Sequence, residues 1–393
     1  MAGPSLNSIL GPDLILEFLD SLAVPLHEDQ RFCDLSVLAS CSAVCRTWSA
    51  HAQRLLFRRI ILPNNIYQEP FRRGSTRNNL PSFLAAINPA TERGRWLAES
   101  VISLTVRHTG RSRTSDSTAL ATALLRTPNL RHLDTTTICC HFDSETLTRL
   151  RESGPPITSM CILQDIALGP AQTYARTMHQ LVASFPSIRL LEITSDLNSS
   201  LPPFDPPPNL SLVCVKFNTT MVQDVGPCLA SLMNPAAEEP LQVLRHKSVG
   251  SHPSQLGTVL RAHGAHLRSL AVKTLEPEQL VHLQLCPQLE RFEIGRFPDA
   301  AAFASIPRTI TALAISGSPS ALGTRGVDEL AQELKTFPHL KMFTWSSCPQ
   351  PMRFHALERV CKTRGIEVRF SATATELTDN AIERELRRKH IRI

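Results

Sequence analysis

Cys139, Cys140 and His141, with His132 nearby in sequence, are residues whose types could hold a metal. A structural zinc site needs four thiolate or imidazole ligands, usually in two spaced pairs. Two adjacent cysteines without a second pair rarely close that tetrahedron, so no metal and no other cofactor is expected. Cys41 and Cys45 fall among apolar residues on a helical stretch, where a thiol packs as a small hydrophobe. The stretch from Arg72 to Arg113 offers different chemistry: residues 66–115 hold eight Arg and three Glu. Guanidinium groups bind phosphate through paired hydrogen bonds, which would suit a phosphorylated target; a solvated basic loop is the plainer reading. Pro202, Pro203, Pro206, Pro207 and Pro208 include a PxxP match, but their place between two strand patterns favours a rigid spacer. The chain carries no Walker loop, GxGxxG, HExxH, GxSxG or CxxC pair, so no catalytic residues are assigned and no enzyme is expected.

At 393 residues, with 42% hydrophobic and 19% charged residues, the chain is long enough for two domains, or one domain and a repeat array. Its net charge of +6 lacks the dense basic stripe interleaved with aromatics on which nucleic-acid binding depends, so no nucleic acid is expected as a partner. No apolar run approaches membrane-spanning length, which argues against a membrane partner. The eleven cysteines are scattered and imply a reducing, intracellular setting, cytoplasmic or nuclear. The sequons at Asn198, Asn209 and Asn218 then read as chance matches.

These residues need elements to position them. Near the N-terminus, Pro12 and Asp13 open a helical pattern with Leu10, Leu14, Phe18 and Leu22 on one face. Asp34 can cap a second short helix bearing Leu35 and Leu38. A third places Val44, Trp48, Ala52 and Leu55 on one stripe and runs into the apolar cluster Leu55 to Leu62. In its order of Pro12, Leu14, Phe18, Leu19, Leu22, Leu35, Leu38, Val44, Cys45 and Trp48, residues 9–62 resemble an F-box. Gly11 stands where that family's pattern has Leu, and the first loop is longer than is common. The resemblance implies that those ten residues face a Skp-type adaptor, which links the chain to a cullin-RING ligase. A small helical cap, with Trp48 an ordinary core aromatic, is the alternative.

Further along, apolar residues recur at i, i+3 and i+5, the strand signature of a leucine-rich repeat. Examples are Val101, Leu104, Val106; Ile188, Leu191, Ile193; Leu210, Val213, Val215; and Leu340, Phe343, Trp345. Leu130 with Leu133, and Leu241 with Leu244, keep the first two positions and lose the third. Between the i+3 residues the spacings run from 21 to 31. Helical stretches lie between, such as 119–125, 175–183, 279–285, 327–334 and 355–361. The turn position after the strand matches Asn or Cys only at Asn218 and Cys348. The expected fold is therefore α/β: a three-helix F-box at 9–62, a basic linker at 63–80, and a curved repeat solenoid at 81–370. A charged tail follows at 371–393. A parallel α/β sheet of another kind is the alternative. A strand at 366–370 is expected to close the array, and the helical tail with Arg387, Arg388 and Lys389 reads as a solvated end or a nuclear-import run.

The combined reading is a non-catalytic substrate receptor of an SCF-type ubiquitin ligase, its F-box-like segment on the adaptor and its outward strand face on an unknown protein target. Alternate strand residues face opposite sides, which assigns Arg107, Asp134, Glu192, Lys273, Arg291, Glu293 and Thr344 to that face. A repeat scaffold that binds protein without any ligase is the alternative.

Overall fold

A computed structural model describes residues 17, 19, 35–62, 79–106, 114–136, 142–163, 171–195, 203, 209–219, 228, 231–232, 239–246, 253–275, 277–295, 300–316, 323–346, 355–371 and 381–391. They fall into two compact units, one drawn from residues 1–135 and 141–157, the other from 136–140 and 158–393.

In the first unit, α1 (Leu35–Cys41) and α2 (Arg46–Arg58) precede β1 (Arg59–Leu62). Next come α3 (Asn79–Ala86), α4 (Glu92–Ser100), β2 (Ser103–Val106), α5 (Thr114–Arg126), β3 (His132–Thr136) and α6 (Ser144–Ser153). The apolar run at Leu55 to Leu62 is not all helix. Arg59 is extended (φ −130°, ψ 106°), and β-branched Ile60 and Ile61 prefer the pleated surface that follows. β1 pairs in parallel with β2, Ile60 opposite Leu104, so the strands begin inside the segment read as helical, ahead of position 81. Thr91 caps α4, its hydroxyl accepting from the amide of Gly94 at 3.0 Å.

The second unit contains β4 (Ser159–Leu163), α7 (Ala171–Ser184), β5 (Leu190–Ser195), β6 (Cys214–Thr219), β7 (Val243–His246) and α8 (Pro253–His263). It continues through β8 (Ser269–Val272), α9 (Pro277–Leu283), β9 (Arg291–Ile294), α10 (Ala300–Ser305) and β10 (Ala312–Ile315). α11 (Gly323–Leu334), β11 (Met342–Ser346), α12 (His355–Arg364), β12 (Glu367–Ser371) and α13 (Ala381–Ile391) complete it. From β4 to β12 every strand pairs in parallel with the next in chain order. That order differs from a doubly wound sheet, whose strand order reverses at a switch point, and is that of a leucine-rich-repeat array.

The register follows one inward ladder: Met160, Leu191, Val215, Leu244, Leu270, Phe292, Leu313, Phe343 and Val368. At β6 the partner of Leu191 is Val215 rather than Val213. A two-residue slip keeps every side chain on its own face, so Leu212, Val215, Phe217 fit the apolar pattern as well as Leu210, Val213, Val215. The correction also moves Asn218 off the turn position and into β6, opposite Thr194. The third ladder positions left polar in the sequence hold Thr135 and His246, both buried. Phe343 and Trp345, adjacent on the inward side, meet edge to face at 6.1 Å.

Strand entry is built the same way in successive repeats. Two consecutive amides converge on one carbonyl of the preceding repeat: Leu190 and Arg189 donate to Thr158, Arg291 and Glu290 to Arg268, Met342 and Lys341 to Thr311. Just upstream, a turn closes from Leu130 N to Thr127 O, Ile188 N to Phe185 O, Leu289 N to Cys286 O and Leu340 N to Phe337 O. Each carries proline at its second position (Pro128, Pro186, Pro287, Pro338), where the ring pre-sets the required φ.

Candidate protein-docking surfaces

In the first unit, Leu19, Leu38, Cys41, Ala52 and Leu55 form a buried cluster, with Val37, Trp48 and Leu56 partly buried against it. The end of α1 is wound shut by amides of Ser42, Ala43 and Val44 donating to Leu38, Ser40 and Cys41 at 2.9, 3.0 and 3.2 Å. That turn leaves Val44 outside, 58% exposed, and sets half-buried Cys45 as the N-cap of α2. Among the ten adaptor-facing expectations, Leu19 and Leu38 point into the unit's own core, Val44 outward, and Trp48 lies between. Leu35 lies in α1; Pro12, Leu14, Phe18 and Leu22 lie outside the described residues.

In the second unit the outward strand positions form rows. One runs Glu192, Lys216, Arg245, Ala271, Glu293, Ala314, Thr344 and Arg369 from β5 to β12. The row beside it begins Leu190, Cys214, Val243, apolar residues where a solvated face would carry polar ones. They are covered by α13. Leu190, Val213, Cys214 and Val243 form one buried cluster with Ile382, Leu386 and Ile391. Fully burying each of those three helix side chains is worth about 1.5–3 kcal/mol.

The charges close over the same contact. Glu383, 4% exposed, pairs with Lys216 Nζ and lies 3.6 Å from Arg245 Nη2. Arg245 reaches across Ala271, too small to block it, to within 3.6 Å of Glu293. Asn218 Nδ2 donates to Glu192 at 3.0 Å, and Arg387 stands 3.8 Å from the same carboxylate. Burial by itself pushes the Glu383 carboxyl up, but Lys216 and then Arg245 outweigh it and hold it below the usual carboxylate value. At the helix flanks, Arg268 meets Glu385 at 3.2 Å and Lys389 meets Glu239 at 2.8 Å. Thr158 Oγ1 donates to the carbonyl of His390 at 2.7 Å. The Cys214 thiol beneath is pushed up to about 12, chiefly by burial, which makes it a packing group rather than a nucleophile.

This arrangement corrects the expectation of a solvated tail. Ile382, Glu383, Leu386 and Ile391 are buried, because their spacing lays one stripe of the helix on the strands. Of the seven residues assigned to the outward face, Glu293 is buried beneath the Arg245 pair, and Arg291 and Thr344 are buried as well. Asp134, Glu192 and Lys273 are half-buried, and Arg107 lies outside the described residues. Strand alternation gives the side of a residue; it does not say what lies over it. Lys216 and Arg245 obey the same alternation and belong with the assigned set, and the signal for Glu383 was its place beside Ile382 and Leu386.

Of the arginines between 72 and 113, the described pair is engaged at home: Arg93 donates to Gln53 at 3.1 Å and Arg95 to the carbonyl of Pro89 at 2.8 Å. The other six lie outside the described residues, as do Cys139, Cys140 and His141. Among the described residues no cluster of His, Cys, Asp or Glu could hold a metal, and no helix is long and apolar enough to cross a membrane.

No protein-family model matches this sequence, and no curated protein matches it. Solved structures do. The leucine-rich-repeat-containing protein LegL7 of Legionella pneumophila is 13% identical with a TM-score of 0.38, over 75% of this chain and 91% of its own. An internalin (InlF) of Listeria monocytogenes is 13% identical with a TM-score of 0.35, over 74% and 93%. A chain of the yeast Rad7 and Elc1 complex is 12% identical with a TM-score of 0.33, over 80% and 90%. Superposition is loose in each case, and the repeat order stands on this chain's own strand register.

Proposed function

We propose that this chain is a non-catalytic substrate-recognition subunit of an SCF-type ubiquitin ligase. Its N-terminal helices dock on a Skp-type adaptor, and its repeats select a protein target for ubiquitin transfer by other subunits of the cullin-RING assembly. The observation that carries the reading is the Val44 to Trp48 run, with the apolar Val44 held outside at the mouth of α2 while Trp48 braces the cluster below. A partner that covers the exposed Val44 buries apolar surface, and tryptophan, here only partly buried, is among the side chains enriched at interface hot spots. Stacked repeats present extended surfaces suited to binding a partner.

The test is co-purification of the full chain with a Skp-type adaptor, repeated with Val44→Glu. Val44 is suited to this because it is exposed, so a charge there spares the core, whereas a charge at Leu19 or Leu38 would unfold the cluster. Recovery of the adaptor by the unmodified chain, and its loss with Val44→Glu, is the expected outcome. Failure of the folded, unmodified chain to retain the adaptor leaves the alternative of a protein-binding repeat scaffold with no ligase role.

A further inference from the structure

The apolar outward row of β5, β6 and β7 together with the charges around it makes a formed receptor for a helix, and in this structure α13 occupies it. The match is detailed. Ile382, Leu386 and Ile391 meet Leu190, Cys214 and Val243. Acidic groups in the first half of the helix meet cations of the strand side, Glu383 with Lys216 and Arg245 and Glu385 with Arg268. Basic groups in the second half meet carboxylates, Arg387 with Glu192 and Lys389 with Glu239. The face is thus polar in sign along the helix axis and accepts a helix in one direction. An eleven-residue helix is about 16 Å long, close to the roughly 14 Å spanned by the four strands β5 to β8.

Nine residues of sequence separate Ser371, which ends β12, from Ala381. A ligand tethered so briefly sits at high effective concentration without needing strong intrinsic affinity. With α13 lifted, Lys216 keeps Glu192 at 3.9 Å and Arg245 keeps Glu293 at 3.6 Å on the strand side, so the uncovered face still presents the charges that a second helix would meet.

We infer that α13 is an internal stand-in for a target helix: the outward face of β5–β8 binds a partner protein's amphipathic helix of the same pattern, which displaces α13. Such a helix carries apolar residues at its positions 1, 5 and 10, acidic residues at 2 and 4, and basic residues at 6 and 8, as residues 382–391 do. The inference deepens the reading of the outward face as the target site and is independent of adaptor binding by the first unit, which is measured separately.

A fluorescent peptide of residues 379–393, titrated into the full chain, tests it. The chain carrying Leu386→Asp and Ile391→Asp, which evict its own helix, binds the peptide at least tenfold more tightly than the unmodified chain. Adding Lys216→Glu and Arg245→Glu removes at least tenfold of that affinity, and a peptide with Glu383→Lys regains it. Equal binding to the unmodified and evicted chains overturns the inference, as does no binding by an evicted chain that keeps its circular dichroism and cooperative melting. If the evicted chain does not fold, hydrogen exchange of the unmodified chain decides. Amides of α13 that open while β6 and β7 stay protected support displacement; amides that open only with β6 and β7 make α13 a fixed part of the fold and overturn it.

Discussion

Glu383 is the residue whose removal has the sharpest consequence. Glu383→Ala takes from Lys216 and Arg245 the carboxylate they share and leaves each a single one, Glu192 at 3.9 Å and Glu293 at 3.6 Å, so the loss is expected below the roughly 3–5 kcal/mol of a buried charge left wholly unpaired. Denaturant unfolding of the second unit should show that loss, or a selective loss of exchange protection in α13 if the helix detaches first; Glu383→Gln, which keeps the shape and an acceptor, should lose less. Acid acts in the same direction. Burial raises the Glu383 carboxyl, but Lys216, Arg245 and Arg387 outweigh it, and its net shift is downward from 4.5. Glu239 is also lowered from 4.5, first by the hydrogen bond from Lys389. Carboxyls depressed in the fold add stability above their unfolded values and lose it as pH falls through the folded ones. His390 is lowered from 6.5 by burial, with Glu239 opposing and Lys389 and Arg189 assisting, so its protonation also disfavours the docked helix. Exchange protection of α13, corrected for intrinsic rate, is therefore expected to be level above about pH 6.5 and to fall below it, most steeply under pH 4.5. Rising protection on acidification would contradict these contacts.

At the scale of elements, the sequence pattern located most helices and strands but could not fix how they sit. The stretches at 119–125, 327–334 and 355–361 lie inside α5, α11 and α12, since a 3.6-residue apolar stripe survives any ambiguity in capping. β6 slipped by two residues because period-2 patterns repeat within themselves. The prolines at 128, 186, 287 and 338 were a usable signal that apolar spacing ignores: each precedes the first ladder residue by two and would have anchored those strand starts. β1 was hidden because Ile60 and Ile61 extend an apolar helical stripe until backbone preference ends it. The end of α12 depends on Gly365 at φ 67°, with the Ile366 amide donating to the Cys361 carbonyl at 2.8 Å. Space for a methyl group is open there, so Gly365→Ala should cost about 1 kcal/mol through backbone conformation alone, with Gly365→Asn milder in thermal unfolding. In the first unit, Leu38→Ala should destabilise by about 2–5 kcal/mol, while Val44→Glu stays within about 0.5 kcal/mol. Equal losses at the two sites would deny that Val44 stands outside the cluster.

Across the whole molecule, the described residues fall into two compact units, and the function proposed above assigns the ligase to the first and the target to the second. The helices at Leu35–Cys41 and Arg46–Arg58 were readable because their apolar spacing is local in sequence. The covering of the strand face was not, since α13 lies far along the chain from β5 and nothing local to either announces the other. The central claim is that the first unit binds a Skp-type adaptor through the outward side of its helical cluster. Calorimetric titration of purified full chain with that adaptor tests it most directly. The account predicts saturable one-to-one binding that weakens at least tenfold with Val44→Glu and is unchanged by Glu383→Gln. No heat of binding from the folded chain, or binding indifferent to Val44→Glu, would contradict it.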